Sequence, residues 1–275
     1  MKKYMLALGL SLLTVLGLFT GCSPKAETAS DSDSLKIVAT IFPEYDWVRQ
    51  VLGDRAGEVQ LTLLLDSGTD LHSYQPTAAD MLTIGECDLF LYNGGESDAW
   101  VERVLATAAN PDRRTLSVME VLGDSVLEEE VVEGMQEAED HDHAEGEAHE
   151  EEADEHVWLS LRNARTACAE IARVLGELDP DHAAEYQTNA ENYMAELEAL
   201  DGEYAALAEN AARRTVLVGD RFPFRYLMDD YGLEYYAAFS GCSAETEASF
   251  ETIAFLSGKT EELALPCILT TDSPQ

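Results

Sequence analysis

The sequence has few basic residues for its length. Its 275 residues include 17 Lys and Arg against 54 Asp and Glu, which gives a formal net charge of −37. The phosphates of nucleic acids and the surfaces of anionic membranes repel such a chain. The composition therefore excludes a protein that binds nucleic acid through its charge, and it favours cations as partners.

Two motifs that often accompany zinc are absent. The five cysteines never have CxxC spacing, which argues against a site built from thiolates. The chain also lacks HExxH, the helical motif of many zinc proteases. A thiolate metal site and an HExxH hydrolase site are therefore not expected.

The one long apolar run is too short to cross a bilayer comfortably. It covers residues 5–19, follows Lys2 and Lys3, and precedes Thr20-Gly21-Cys22, whereas a spanning helix needs ~20 apolar residues. This pattern predicts a signal peptide at 1–21, a lipid anchor at Cys22 and a flexible tether at 22–34. The alternative is a plain secretory signal with an incidental cysteine. In both cases the mature chain is extracytoplasmic.

Beyond the tether, strand patterns alternate with helix patterns, which predicts α/β lobes with parallel sheets. We expect a first lobe at 35–180, a connecting helix at 181–212 and a second lobe at 213–275. The second lobe has three strand patterns and no final helix, so we expect its C-terminal end to be missing. The predicted strands are 35–42, 59–65, 88–92 and 115–119 in the first lobe, and 215–218, 235–239 and 267–270 in the second.

Two histidines stand in loops where a strand pattern meets a helix pattern. His72 lies in Gly-Thr-Asp-Leu-His-Ser-Tyr-Gln-Pro at 68–76, and His156 lies in Asp-Glu-His-Val-Trp-Leu-Ser at 154–160. Neutral imidazole is a strong ligand for zinc and its neighbours in the first transition series. Either histidine alone would be an ordinary loop residue, but together they predict a metal site.

An acidic segment at 128–155 separates the two motifs along the chain. It has almost no apolar residues to bury, so we expect it to be disordered without metal. It carries His141, His143 and His149, which predicts a segment that collects metal ions. The alternative is a solvated acidic loop whose histidines are incidental.

Five motifs in fixed order carry a resemblance to a known family. They are Ala-Thr-Ile-Phe-Pro at 39–43, the loop at 68–76, Tyr-Asn-Gly-Gly at 92–95, Glu-His-Val-Trp-Leu at 155–159 and Tyr-Gly-Leu at 231–233. The chain resembles the zinc/manganese substrate-binding lipoproteins of bacterial ABC transporters. The resemblance implies two α/β lobes joined by one rigid helix, with the metal in the cleft between them. It also implies a monomer that delivers its ion to an ABC permease.

The resemblance assigns ligands residue by residue. His72 matches the first ligand of the family and His156 matches the second. Arg221 occupies the third ligand position, and a guanidinium has no lone pair to donate. We therefore expect Asp220 to supply the oxygen and Arg221 to point away or pair with a carboxylate near the cleft. The alternatives for Asp220 are an ion pair with Arg221 or Arg225, or a cap on the helix that follows.

The resemblance also bears on the cysteines. Zinc members of the family often carry a disulfide in the second lobe, and Cys242 and Cys267 are the expected pair. Cys87 and Cys168 either form a second bridge or are buried as small apolar groups.

The predicted ion is zinc, because two imidazoles and a carboxylate suit its tetrahedral shell. Manganese prefers oxygen-rich octahedral sites, so a manganese receptor is the first alternative. A zinc hydrolase is the second, with Glu155 as its only candidate base, although neighbouring residues of an extended chain point to opposite sides. A surface adhesin or a buffering protein that uses the acidic segment is the third. We expect a receptor and not an enzyme.

Overall fold

The computed structural model describes residues 34–66, 69–107, 109–136, 152–243 and 247–271. The chain divides into Met1–Ser34 and Leu35–Gln275, and the helices and strands described here belong to the second unit. The predicted signal peptide, Cys22, His141, His143 and His149 lie outside the described residues. Within those residues, no helix combines the length and the apolar character that a membrane crossing needs.

A parallel sheet forms the centre of the first lobe, with strand order β2-β1-β3-β4. Its middle strands bury Val38 and Phe90 on one face and Ile37 and Leu91 on the other. Burial on both faces explains their nearly continuous apolar sequence. The four strands predicted here are confirmed in place, but each is shorter than expected and the first has half its predicted length: β1 Lys36–Ala39, β2 Gln60–Leu63, β3 Leu89–Tyr92 and β4 Arg114–Ser117.

Helices cover both faces of this sheet. They are α1 Phe42–Leu52, α2 Ala78–Glu86, α3 Val101–Leu105, α4 Val118–Leu122 and α5 Leu161–Leu178. Ser160 caps the N-terminus of α5, since its hydroxyl accepts a hydrogen bond from the backbone N–H of Asn163. Its stripe of buried small and branched residues, including Ile171, packs into the main core with α1 and the sheet.

The long helix α6 Ala183–Glu209 follows and contacts both halves of the structure. Tyr186 is fully buried against the first lobe. Near the other end, Tyr204 stacks on Tyr231, and the Tyr231 hydroxyl donates to Asp201 at 3.0 Å. These contacts fix the helix to both lobes.

The second lobe contains parallel strands β5 Thr215–Phe222 and β6 Glu234–Ser240 with helices α7 Arg225–Tyr231 and α8 Phe250–Glu262. Strand β5 is longer than predicted because it continues through an irregularity between Val218 and Arg221. The strand predicted at 267–270 is wrong in extent. In this segment Leu269 forms a single backbone bridge to Val218. The side chain of Leu269 is half exposed, so little buried surface is available to stabilise a longer pairing.

The expected disulfide between Cys242 and Cys267 is not formed, because all four cysteines of the described residues are free. Cys267 is exposed, whereas the thiol of Cys242 lies near His72 and Glu155. Cys87 and Cys168 are buried in core clusters on opposite faces of the first sheet, which keeps them apart. Burial raises the pKa of both of these thiols to about 12.

The packing of α5 leads to a stability prediction. Ile171→Ala should lower the free energy of unfolding by about 2–5 kcal/mol, because it leaves a cavity in a close-packed core. Leu207→Ala, at a position 73% exposed, should change it by no more than about 0.5 kcal/mol. Urea unfolding followed by circular dichroism measures both. Equal losses in the two variants would contradict this placement of the core.

Candidate metal centre

A short helical turn, Leu71–Ser73, places His72 beyond the end of β2. Asp70 caps this turn, since its Oδ1 accepts from the backbone N–H of His72 at 3.0 Å. Leu71 is buried and anchors the turn to a small apolar cluster. The imidazole of His72 is therefore held at the cleft and remains 19% exposed.

The second histidine is held by a carboxylate from its own segment. One oxygen of Asp154, Oδ1, accepts from both the backbone N–H and the Nδ1 of His156, at 2.8 and 2.9 Å. Both side chains are nearly inaccessible to solvent. Because Nδ1 carries the proton of this hydrogen bond, Nε2 of the neutral ring has its lone pair free for a ligand.

The two imidazoles face each other through their Nε2 atoms, which lie 3.4 Å apart. Two nitrogens bound to one tetrahedral zinc at about 2.0–2.1 Å are themselves separated by about 3.4 Å. Without an ion, His72 can donate Nε2–H to His156, while the other ring nitrogen of His72 lies 3.0 Å from the Ser97 hydroxyl. The spacing thus suits either one shared proton or one metal ion.

Glu155 lies on the other side of His72. Its Oε1 accepts from the backbone N–H of Ser97 at 2.8 Å, and its Oε2 lies 3.5 Å from Nδ1 of His72. Burial alone would raise the pKa of Glu155, but the interactions with His72 and Ser97 hold that pKa below its usual value. Glu155 is therefore a charged carboxylate in a nearly dry site.

This position corrects a sequence prediction. Alternation along an extended chain placed Glu155 and His156 on opposite sides, yet both side chains reach His72. The reason is that 154–156 does not form a regular strand and leads straight into the turn Val157–Leu159. The position of Glu155 directly before His156 in the motif was the sequence feature from which its place near His72 could have been predicted.

The second lobe reaches the site through the turn that follows β6. Gly241 packs against the His156 ring so closely that a Cβ there would lie 2.7 Å from Cε1. The next residue, Cys242, is half buried. Among the described residues, His72, Glu155 and Cys242 form the group whose ligand atoms all lie within 4.8 Å of one another.

Asp220 and Arg221 occupy other positions. The two oxygens of Asp220 accept from the backbone N–H of Arg221 at 2.8 Å and from the Thr271 hydroxyl at 2.7 Å. Both residues lie on β5 and not at a helix start, so Asp220 does not cap α7. Within the part of the chain that the structure describes, Asp220 belongs to no group of ligand atoms close enough to share an ion.

Arg221 instead pairs with a carboxylate of the first lobe, as predicted. Its Nη1 lies 3.4 Å from Oδ2 of Asp70, which is the residue that caps the turn of His72. The guanidinium is thereby paired at the cleft that His72 and His156 also line. A cleft of about 670 Å³ surrounds this region, and both lobes line it, with Ile41, Phe42 and His156 on one side and Arg221 and Pro223 on the other.

A second buried carboxyl supports the loop that enters this cleft. Glu44 Oε2 accepts from the backbone N–H and the hydroxyl of Thr40 and from the backbone N–H of Ile41. Burial, reinforced by the charge of Asp98, raises the pKa of Glu44 to about 8. Burial likewise raises the pKa of Asp98 to about 6, although a hydrogen bond from the backbone N–H of Gly94 acts to lower that pKa.

Two α/β units joined by a long helix, with imidazoles facing a cleft lined by both units, define a two-lobed ligand-binding protein. Residues 37–275 match the family described as "ZnuA: Zinc-uptake complex component A periplasmic". The chain belongs to this family.

Individual relatives agree with this assignment. The zinc-binding lipoprotein AdcA of Streptococcus pneumoniae is 34% identical over 257 residues, which cover 93% of this chain and 48% of the relative. The high-affinity zinc uptake system protein ZnuA of Bacillus subtilis is 30% identical over 234 residues, 85% of this chain and 70% of the relative. The crystal structure of Zn(II)-bound AdcA from Streptococcus pneumoniae is similar with a TM-score of 0.67 and 28% identity, over 88% of this chain and 47% of that one. The chain spans about half the length of the AdcA proteins it matches.

The close approach at Gly241 gives a test of the site. At a site that uses His156 as a ligand, Gly241→Ala should weaken zinc binding by roughly 10- to 100-fold, because the new methyl group displaces the ring, and shifts in the surroundings of a ligand have effects of that size. Gly258→Ala is the matched control, since a Cβ there meets no atom within 4 Å. Titration calorimetry compares the two, and equal affinities would show that the turn does not position His156.

The raised pKa of Glu44 predicts a pH effect on stability. Its pKa of about 8 lies above the ordinary 4.5, so the folded state keeps a proton that the unfolded state releases. The contribution of Glu44 is full below its ordinary pKa and is lost as the pH rises toward 8, at no more than about 1.4 kcal/mol per pH unit.

Glu44→Gln should remove this loss, because the amide is neutral at every pH. Relative to wild type, the variant should therefore gain stability as the pH rises, which urea unfolding at a series of pH values measures. Exposed Glu196→Gln should show a constant difference from wild type. A constant difference for Glu44→Gln as well would contradict a protonated Glu44.

Proposed function

We propose that this protein is an extracytoplasmic receptor that binds one zinc ion between its lobes and delivers it to an ABC importer. One observation carries the proposal. The Nε2 atoms of His72 and His156 face each other at the separation that a shared zinc ion requires, and Asp154 fixes the ring of His156 for this role. Membership in a zinc-uptake family and the zinc-binding names of the relatives support the choice of cargo.

The donor atoms favour zinc over manganese. Zinc accepts nitrogen, oxygen and sulfur ligands in a tetrahedron, whereas manganese selects sites rich in oxygen. Two imidazole nitrogens converge here, and the ligand atoms of Glu155 and Cys242 are close to His72. Imidazole nitrogen with a carboxylate oxygen or a thiol sulfur beside it is a combination of donors typical of zinc.

A receptor explains the site better than a hydrolase does. A catalytic zinc needs a bound water and a base that is free to accept its proton. The nearest carboxylate is Glu155, and one of its oxygens is held by the Ser97 backbone while the other faces His72. The names of the two relatives above describe zinc binding and zinc uptake.

The remaining parts of the proposal concern attachment and capture. A lipid on Cys22 would hold the receptor at the membrane as a monomer beside the permease, in keeping with the relative that is named a lipoprotein. The acidic segment with His141, His143 and His149 would raise the local cation concentration and speed capture. In this proposal Asp220 is not required as a ligand.

The central test removes the two histidines one at a time. His72→Ala and His156→Ala should each weaken zinc binding by more than about 100-fold, beyond the effect of losing a group that merely supports a ligand. His182→Ala is the control, because the ring of His182 is hydrogen-bonded to Asp179 at the start of α6. Competition titration with a chelator of known affinity measures all three. A His72→Ala protein that binds zinc like wild type would refute the proposed site.

A further inference from the structure

Cys242 is a half-buried thiol next to the proposed metal site. It lies in the turn after β6, and its sulfur, a carboxylate oxygen of Glu155 and a ring nitrogen of His72 all lie within 4.8 Å of one another. His72 also faces His156, at 3.4 Å. An ion bound at His72 therefore has nitrogen, oxygen and sulfur donors around it.

Glu155 gives independent evidence for a ligand at this point. Its side chain is only 4% exposed, and Oε2 accepts no hydrogen bond from the described residues. The other oxygen is fixed by the backbone N–H of Ser97, which aims Oε2 at His72. A buried carboxylate oxygen without a donor is unfavourable, and a bound cation removes that penalty.

Contacts with the first lobe hold the turn of Cys242 in place. Its N–H donates to Oε1 of Glu129 at 3.0 Å. The preceding Gly241 contacts the His156 ring, and only a residue without a side chain fits there. The turn thus approaches both histidines, with the thiol as its one metal-binding side chain among residues 241–243.

A receptor that encloses its ion needs a ligand from each lobe. Arg221 cannot bind a cation, and both Asp220 oxygens accept hydrogen bonds within their own lobe. We propose that Cys242 is the ligand contributed by the second lobe, and that it binds the ion as a thiolate. This inference rests on the proposed function and names the residue that completes its site.

The chemistry of this step is balanced without a redox partner. On binding, the S–H bond of Cys242 breaks, its proton passes to solvent, and the sulfur forms a bond to the ion, because coordination deprotonates a thiol. Thiolate is a soft ligand that zinc accepts readily and manganese does not. Cys242 therefore adds selectivity for zinc as well as affinity.

Cobalt(II) in place of zinc tests the proposal directly, since a cobalt–thiolate bond gives a charge-transfer absorption in the near ultraviolet. The full chain loaded with one cobalt ion should show this band. Cys242→Ser should lose it, and the exposed control Cys267→Ser should retain it. Asp220→Asn should also retain it, which separates the two candidate ligands. The zinc affinity of Cys242→Ser should be lower than that of wild type by more than roughly 10-fold, which is the loss expected for a group that only supports a ligand.

A second measurement avoids any folding defect of the variant. In the wild-type protein, zinc should protect Cys242 from alkylation by iodoacetamide, as mapped by mass spectrometry, and should leave Cys267 reactive. A cobalt complex that depends on His72 and His156 but lacks the thiolate band would overturn the inference and leave the proposed function intact. A wild-type chain that binds no zinc tightly would refute both.

Discussion

The hydrogen bond from His156 Nδ1 to Asp154 is the interaction on which the rest of the site depends. It fixes the tautomer and the orientation of the ring, and so directs a free lone pair into the cleft. The segment itself is held from several directions. Tyr226 of the second lobe donates to the carbonyl of Asp154 at 2.8 Å, and Asn93 of the first donates to the carbonyl of Glu155 at 2.8 Å. The second histidine is therefore placed by a segment that both lobes stabilise.

The same segment explains why the site is close-packed on one side and open on the other. Asp154 and Glu155 are almost wholly buried, and hydrogen bonds from His156 and from the Ser97 backbone offset part of the cost of that burial. His72 enters from a short capped turn and keeps partial contact with solvent. An ion arriving from the cleft would thus meet His72 first and the rigid His156 behind it.

How much could be predicted from the sequence depended on the range of the interaction. The parallel sheet of the first lobe follows from local apolar runs, and the predicted strands there were confirmed. The positions of His72 and His156 at loop turns were also readable, because Gly, Pro and capping residues act locally. The position of Cys242 near the histidines could not be predicted. It depends on the contact of the preceding residue, Gly241, with the ring of His156, which lies far away in the sequence. Cys242 and Cys267 are both free, so the disulfide that the family resemblance implied is absent.

Arg221 shows how the cleft tolerates a cation where related proteins are expected to place a ligand. Its charge is paired with Asp70, the residue that also caps the turn of His72, so the guanidinium is tied to the turn that positions His72. Both partners are substantially exposed, and such pairs typically contribute only about 0–1 kcal/mol. An ion pair of this strength can align the lobes but cannot hold them closed. In the proposed receptor, the energy that encloses the ion would then come from coordination, and a ligand from the second lobe would supply part of it beside this pair.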